Sequence, residues 1–158
     1  MKDIILYHGS YCEVKQPDLK HTTRAMDFGR GFYLTSNLQQ ACSFSNKYGN
    51  EACVNVYIFN NNNSLNIKEF ETYGEEWLDF VVSCRQDLYT GNFDIVKGNV
   101  ADDKVYDVIY QYTKKRITRK QALFELVYRK ANNQYCFLTE NALECLVFNE
   151  CLYKNKDY

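Results

Sequence analysis

Apolar residues recur along this chain in two rhythms, one of period two and one of three and four. Ile4-Ile5-Leu6-Tyr7 is a short apolar run closed by His8-Gly9-Ser10, and reads as a buried strand. Val14 to Phe28 holds the only proline, Pro17, and reads as loop with at most one helical turn. Phe32-Tyr33-Leu34-Thr35 leaves the Gly29-Arg30-Gly31 turn as a second strand. Ser36 or Asn37 can cap a helix from Leu38 to Tyr48, which Gly49 closes. Cys53 to Phe59 alternates Val54, Val56 and Ile58 with Asn55, Tyr57 and Phe59, a strand with two usable faces. Asn60 to Asn63 is a polar loop tip.

Farther on, Trp77, Phe80, Val81 and Cys84 recur at helical steps and predict a helix over Phe70 to Leu88. Phe93 to Val96 reads as a strand. A helix from Ala101-Asp102-Asp103 to about Thr113 puts its acids at the positive end. Thr118 opens a further helix through Val127. Gln134 to Leu138 and Leu146 to Leu152 are the last strands. Strands and helices in this order, with neither repeat nor linker, predict one α+β or mixed α/β domain over 1–158.

Composition narrows the class without naming a chemistry. With 158 residues, 46% of them hydrophobic, the chain is long enough for a packed core. A net charge of −1 gives no global pull toward nucleic acid or membrane. The seven cysteines are odd in number and never spaced C-x-x-C, and several sit inside apolar runs. They read as reduced core thiols. With two histidines there is no obvious zinc ligand set, so no metal is expected. Met1 to Gly9 is too short and polar for a signal peptide, and no apolar run approaches a membrane helix. The expectation is a soluble, cytoplasmic protein.

Two segments carry candidate chemistry. A histidine that ends a buried strand is held by that strand, and the glycine after it admits a close neighbour. The imidazole of His8 can bond a ribose hydroxyl, and the adjacent backbone can pair with a carboxamide; a satisfied histidine before a tight turn has the same sequence. In Asp27 to Thr35, two glycines bracket Arg30 and lead into an aromatic strand. Tyr33, and Phe44 eleven residues later on the following helix, could present ring faces to a flat, electron-poor heterocycle such as nicotinamide. Core packing between strand and helix would use the same two rings.

His8-Gly9-Ser10, then Gly29-Arg30-Gly31-Phe32-Tyr33, then a helix, resembles the first two signature elements of the ADP-ribosyltransferase superfamily. The nearer branch is the His-Tyr-Glu one, which includes diphtheria toxin and the poly(ADP-ribose) polymerases. The chain also looks like an uncharacterised bacterial family assigned to that superfamily, through Glu76 to Val82, Val100 to Asp103 and Gln134 to Leu146 as well. The resemblance implies an α+β fold with a split β-sheet, flanking helices and NAD⁺ between the halves. It implies that His8 bonds the adenosine ribose, that Gly9 pairs with the carboxamide, and that Tyr33 and Phe44 stack on nicotinamide. Ser10 and Gly31 belong to the same nucleotide-binding elements. Arg30 could meet the pyrophosphate or be a solvated turn residue. Ala41 stands where polymerase members carry a serine.

The branch's glutamate is replaced here by Gln134. A carboxylate there would grip the ribose 2′-hydroxyl and stabilise an oxocarbenium-like transition state. Glutamine keeps the hydrogen bond and loses the charge. Glu140, Asp102 and Asp103 are candidates to supply it, although each also suits a helix cap. The implied function is transfer of ADP-ribose from NAD⁺ to a protein or nucleic-acid acceptor, with His8, Tyr33 and Gln134 as the triad. A toxin with an antitoxin or regulatory partner, delivered as an effector or acting in defence, would fit that resemblance. The rivals are a non-catalytic NAD⁺-binding module, an NAD⁺ glycohydrolase and an RNA 2′-phosphotransferase. Absence of a second histidine near Tyr33 speaks against the last. Lys114, Lys115, Arg116, Arg119, Lys120, Arg129 and Lys130 form a basic cluster that could meet nucleic acid or an acidic protein, or be a solvated face.

Overall fold

A computed structural model describes residues 3–61 and 64–154. The fold is α+β, and the described residues form two small sheets and five α-helices. The first sheet orders β1 (Ile4–Ser10), β3 (Cys53–Phe59) and β7 (Leu146–Tyr153), all antiparallel. The second orders β2 (Phe32–Leu34), β6 (Gln134–Phe137), β5 (Ile95–Gly98) and β4 (Ile67–Glu69), with only the β4–β5 pair parallel. α1 (Leu38–Ser45) lies on β1 and runs into a 3₁₀ stretch over Asn46–Glu51. α2 (Glu75–Arg85), α3 (Val105–Thr113) and α4 (Arg119–Leu126) follow, and a single turn, α5 (Glu140–Leu143), joins β6 to β7.

Side-chain alternation makes the four-stranded sheet the middle layer. Phe32, Leu34, Ile95, Tyr135 and Phe137 point to one face and pack with Leu6, Tyr57 and Phe59 of the other sheet. Val96 and Cys136 point to the opposite face, toward Trp77, Val81, Ile109 and Leu126 of the helices. The period of two thus sorts one short strand into two cores.

Several boundaries differ from the sequence expectation, each for a local reason. The helix expected from Phe70 begins at Glu75, because Ile67–Glu69 forms the unforeseen β4 and the Phe70 N–H still donates to the Lys97 carbonyl at 2.8 Å. It ends at Arg85 rather than Leu88, where Asp87 turns left-handed at φ 60°. The strand expected over Phe93 to Val96 is displaced to Ile95–Gly98, because the Asp94 carboxylate and N–H are both tied to the Asn66 backbone. The helix expected from Ala101 starts at Val105, because Ala101 forms a bridge with Val127, which also removes Val127 from α4. α1 stops at Ser45, three residues short, and Glu140, expected to cap a turn or helix near Asn141, is instead the first residue of α5, whose cap is Thr139. No helix occurs between Val14 and Phe28. Part of the expected Asn60 to Asn63 loop tip lies outside the described residues.

Candidate functional site

The two sheets touch through β1 and β2, and then part. Tyr7 and Thr35 exchange backbone hydrogen bonds at 2.8 and 2.9 Å, an isolated bridge. Beyond it β1 continues along β3 while β2 continues along β6. His8 stands where they separate. Its Nδ1 lies 2.7 Å from the Tyr33 carbonyl, and its ring lies against Phe32 with centroids 4.3 Å apart. The carbonyl accepts only, so Nδ1 carries the proton and Nε2 keeps a lone pair. Burial holds the imidazole below its ordinary value of 6.5; the Tyr33 carbonyl opposes that, and the nearby Lys47 ammonium adds to it. His8 is therefore a neutral ring with an acceptor nitrogen.

Gly9 is required by α1. A Cβ there would sit 2.5 Å from the Ala41 carbonyl oxygen and 3.3 Å from the Phe44 ring. The helix thus packs backbone to backbone on β1 and places the Phe44 ring, half exposed, beside Gly9. The Lys47 ammonium lies 3.8 Å from the centroid of that ring, so the face already holds a cation. Ser10 is buried, and its hydroxyl accepts weakly from the Cys12 N–H at 3.4 Å.

The Asp27-Phe28-Gly29 loop organises the other half of the site. The Tyr33 hydroxyl donates to the Gly29 carbonyl at 2.7 Å and accepts from the Phe28 N–H at 3.0 Å. Burial first, then the Cys136 thiol, raises this phenol well above its usual value of 10, so it stays a donor. Gly29 can take its φ of +96° because it has no side chain. Gly31 serves packing: a Cβ there would meet Cys136 Sγ and the Phe137 carbonyl, each at 2.5 Å. Arg30 is occupied at the surface, paired with Asp87 at 2.8 Å and donating to the Thr23 carbonyl at 3.0 Å.

Gln134 opens β6 on the same face as Cys136, and is 8% exposed. Its Nε2 donates to Asp27 Oδ2 at 2.9 Å and to the Asn99 carbonyl at 3.1 Å. Both partners are acceptors, which fixes the amide's orientation and leaves Oε1 as its remaining functional atom.

The carboxylate beside Gln134 is Asp27, none of the three expected from sequence. Asp27 is 3% exposed and carries four contacts. Arg85 donates to Oδ1 through Nε at 2.9 Å and Nη2 at 2.5 Å, while the Ala101 N–H and Gln134 Nε2 both donate to Oδ2. Asp102 instead accepts from the Lys104 N–H at 3.1 Å, Asp103 is exposed, and Glu140 begins α5 beyond the far end of β6. The signal for Asp27 was present, an acid before an apolar-glycine turn, but Arg85 lies 58 residues away. Lys47 was also missed; it lies three residues after Phe44, on the same helical face. Asn132 and Asn133 tie the approach to β6 down, bonding Val100 N–H, Thr35 and Ser36.

Two concavities, about 240 Å³ beside Gly29 and Tyr89 and about 420 Å³ beside Phe124 and Tyr128, are lined by neither His8, Tyr33 nor Gln134. Among the described residues no cluster of three metal-ligating side chains occurs, and no helix is long and apolar enough to cross a membrane. None of the seven cysteines, all of them among the described residues, forms a disulfide. Neither the curated proteins nor the solved structures yielded a match to the chain. A family model does match, from residue 4 to residue 148, and the chain accordingly belongs to the family described as "Protein of unknown function (DUF3990)".

Proposed function

We propose that this protein binds NAD⁺ where β1 and β2 part, and transfers its ADP-ribose to a macromolecular acceptor. The observation that carries the reading is the conjunction at the split: a neutral His8 clamped to the Tyr33 backbone, with Gln134 on the neighbouring strand presenting one free acceptor atom. Two sheets that part beyond the Tyr7–Thr35 bridge support reading the fold in this way.

The residues present suit such a ligand. His8 Nε2 would accept from a ribose hydroxyl. Phe44, whose face already holds the Lys47 ammonium, would take the cationic nicotinamide ring instead. Lys47 would then be released toward the pyrophosphate, the role that Arg30 cannot fill while bound to Asp87. Gln134 Oε1 would accept from the ribose 2′-hydroxyl. The bond from ribose C1′ to the nicotinamide nitrogen breaks with its electron pair on nicotinamide. The acceptor's nucleophile forms the new bond to C1′ and loses its proton to solvent. Gln134 is itself neutral, and Arg85 neutralises the Asp27 carboxylate beside it. The acceptor must therefore supply more of the driving force than in a glutamate enzyme.

The test is nicotinamide release from NAD⁺ by the purified protein, with and without cell lysate as acceptor source. Release that requires both lysate and an intact Gln134 is expected. His8→Ala and Tyr33→Ala should each lose NAD⁺ binding by calorimetry while remaining folded. Unchanged binding in both, at unchanged thermal stability, would refute the site. A second reading, NAD⁺ binding without turnover, is favoured by the neutralised Asp27; it predicts calorimetric binding with no nicotinamide released.

A further inference from the structure

Charge is segregated along this chain. Residues 104–130 carry eight lysines and arginines against Asp107 and Glu125, a local excess of six positive charges in a chain of net charge −1. These residues build α3, α4 and the segment leading to β6. Arg119 is tied to Glu75 and Asp79, and Lys104 to Glu125. Lys120, Arg129 and Lys130 are exposed and carry no ion pair among the described residues.

The same surface is aromatic. Phe124 is 75% exposed and lies one helical turn from Lys120 on α4. Tyr106 and Tyr110 are exposed one turn apart on α3, with Lys114 and Arg116 within 6 Å of the Tyr110 centroid, at 5.9 and 5.5 Å. Phe124, Val127 and Tyr128 line the concavity of about 420 Å³, with the cations Lys104, Arg129 and Lys130 outnumbering the acids Asp102 and Glu125 there, and Lys104 paired with Glu125. An apolar core has no use for these rings, and a solvated charged face does not need them. Cations beside open ring faces are what a single nucleic-acid strand requires: phosphates meet the cations and unstacked bases meet the rings.

This surface also adjoins the candidate site. Gln134 lies four positions after Lys130, a span of at most about 14 Å of chain. Tyr106 lies over the Arg85 guanidinium at 5.0 Å, and Arg85 holds Asp27, which holds Gln134.

We infer that the α3–α4 surface binds a single-stranded nucleic acid as the acceptor of the transferred ADP-ribose. The acceptor role rests on the transferase reading above, whereas the binding itself does not.

The test is fluorescence anisotropy with a labelled mixed-sequence single strand of about 20 nucleotides, as RNA and as DNA, without NAD⁺. Binding should weaken from about 50 to about 200 mM salt. Arg129→Ala with Lys130→Ala should lower the salt slope by about 1.4, roughly 0.7 for each lost phosphate contact. Phe124→Ala should weaken binding about tenfold at fixed salt and leave the slope unchanged. His8→Ala should bind the strand like the wild type. No binding, binding indifferent to both surface variants, or displacement by polyglutamate as readily as by the strand would overturn the proposal, the last pointing to an acidic protein. A second arm adds NAD⁺ labelled in its adenosine moiety. Label on the strand is expected; nicotinamide release with the strand bound but unlabelled would overturn the acceptor role. Strand binding without nicotinamide release would instead count against the transferase reading, and the acceptor role with it.

Discussion

Gln134 is best understood with its neighbour. Asp27 and the Asn99 carbonyl both need a donor, and the Gln134 amide supplies two hydrogens to them. A glutamate here would set a second carboxylate 2.9 Å from Asp27 and leave the Asn99 oxygen without that donor. Gln134→Glu should therefore cost about 2 kcal/mol of stability rather than restore a catalytic charge. Combining it with Asp27→Asn should recover much of that loss, because the asparagine amide can donate to the new carboxylate. Urea denaturation of the two single variants and the double variant checks the coupling; simple additivity would refute it. Asp27→Ala alone strands the buried Arg85 guanidinium and should cost about 3–5 kcal/mol.

His8 supplies a pH dependence with a definite sign. Its folded-state value lies below 6.5, so the unfolded chain takes up a proton that the folded chain resists. Its contribution is present in full above 6.5 and is lost as the pH falls from 6.5 toward the folded value. NAD⁺ binding should fall lower still, as the pH passes through the folded value itself, because protonation converts the Nε2 acceptor into a donor. Thermal midpoints at about pH 5.5 and about pH 7.5, for wild type and His8→Gln, should show a smaller pH effect in the variant.

At the scale of elements, two helices end in a left-handed residue that is not glycine. Asp87 and Lys115 occupy the left-handed position just past α2 and α3, at φ 60° and 57°. Asp87 is held there in a contact with Arg30, whereas Lys115 makes no ion pair among the described residues. Lys115→Gly should accordingly stabilise the fold by about 1 kcal/mol, read as a raised denaturation midpoint. α4 shows the opposite relation between sequence and structure. Thr118 and Gln121 bond each other's backbone in a capping box, so the start of this helix was legible three residues deep. β4 was not legible, because three residues of mixed character pair only when β5 lies alongside.

At the scale of the molecule, the four-stranded sheet is shared by two cores, one toward β1, β3 and β7 and the other toward α2, α3 and α4. Neither core keeps its floor if the sheet is lost. Unfolding should therefore be one transition, with fluorescence of Trp77, the sole tryptophan, coinciding with far-UV circular dichroism. Separate midpoints would show that the two layers unfold independently.

What the sequence determined by itself was local. The apolar runs placed β1, β2, β3, β6 and β7 within a few residues, because each carries its period and its turn signals with it. The His8-Gly9 and Gly31-Phe32-Tyr33 segments marked themselves as candidates because glycine beside a strand-borne polar or aromatic residue is a local pattern. Tertiary structure decided what only distance along the chain conceals. It selected Asp27 over Glu140, Asp102 and Asp103 as the carboxylate beside Gln134, because Arg85 and Ala101 arrive from other elements to hold it. It committed Arg30 to Asp87 and set the Lys47 ammonium over the Phe44 ring. A buried charge persists only where partners converge on it, and that convergence comes from how β2, α2, β5 and β6 pack, not from spacing in any one segment.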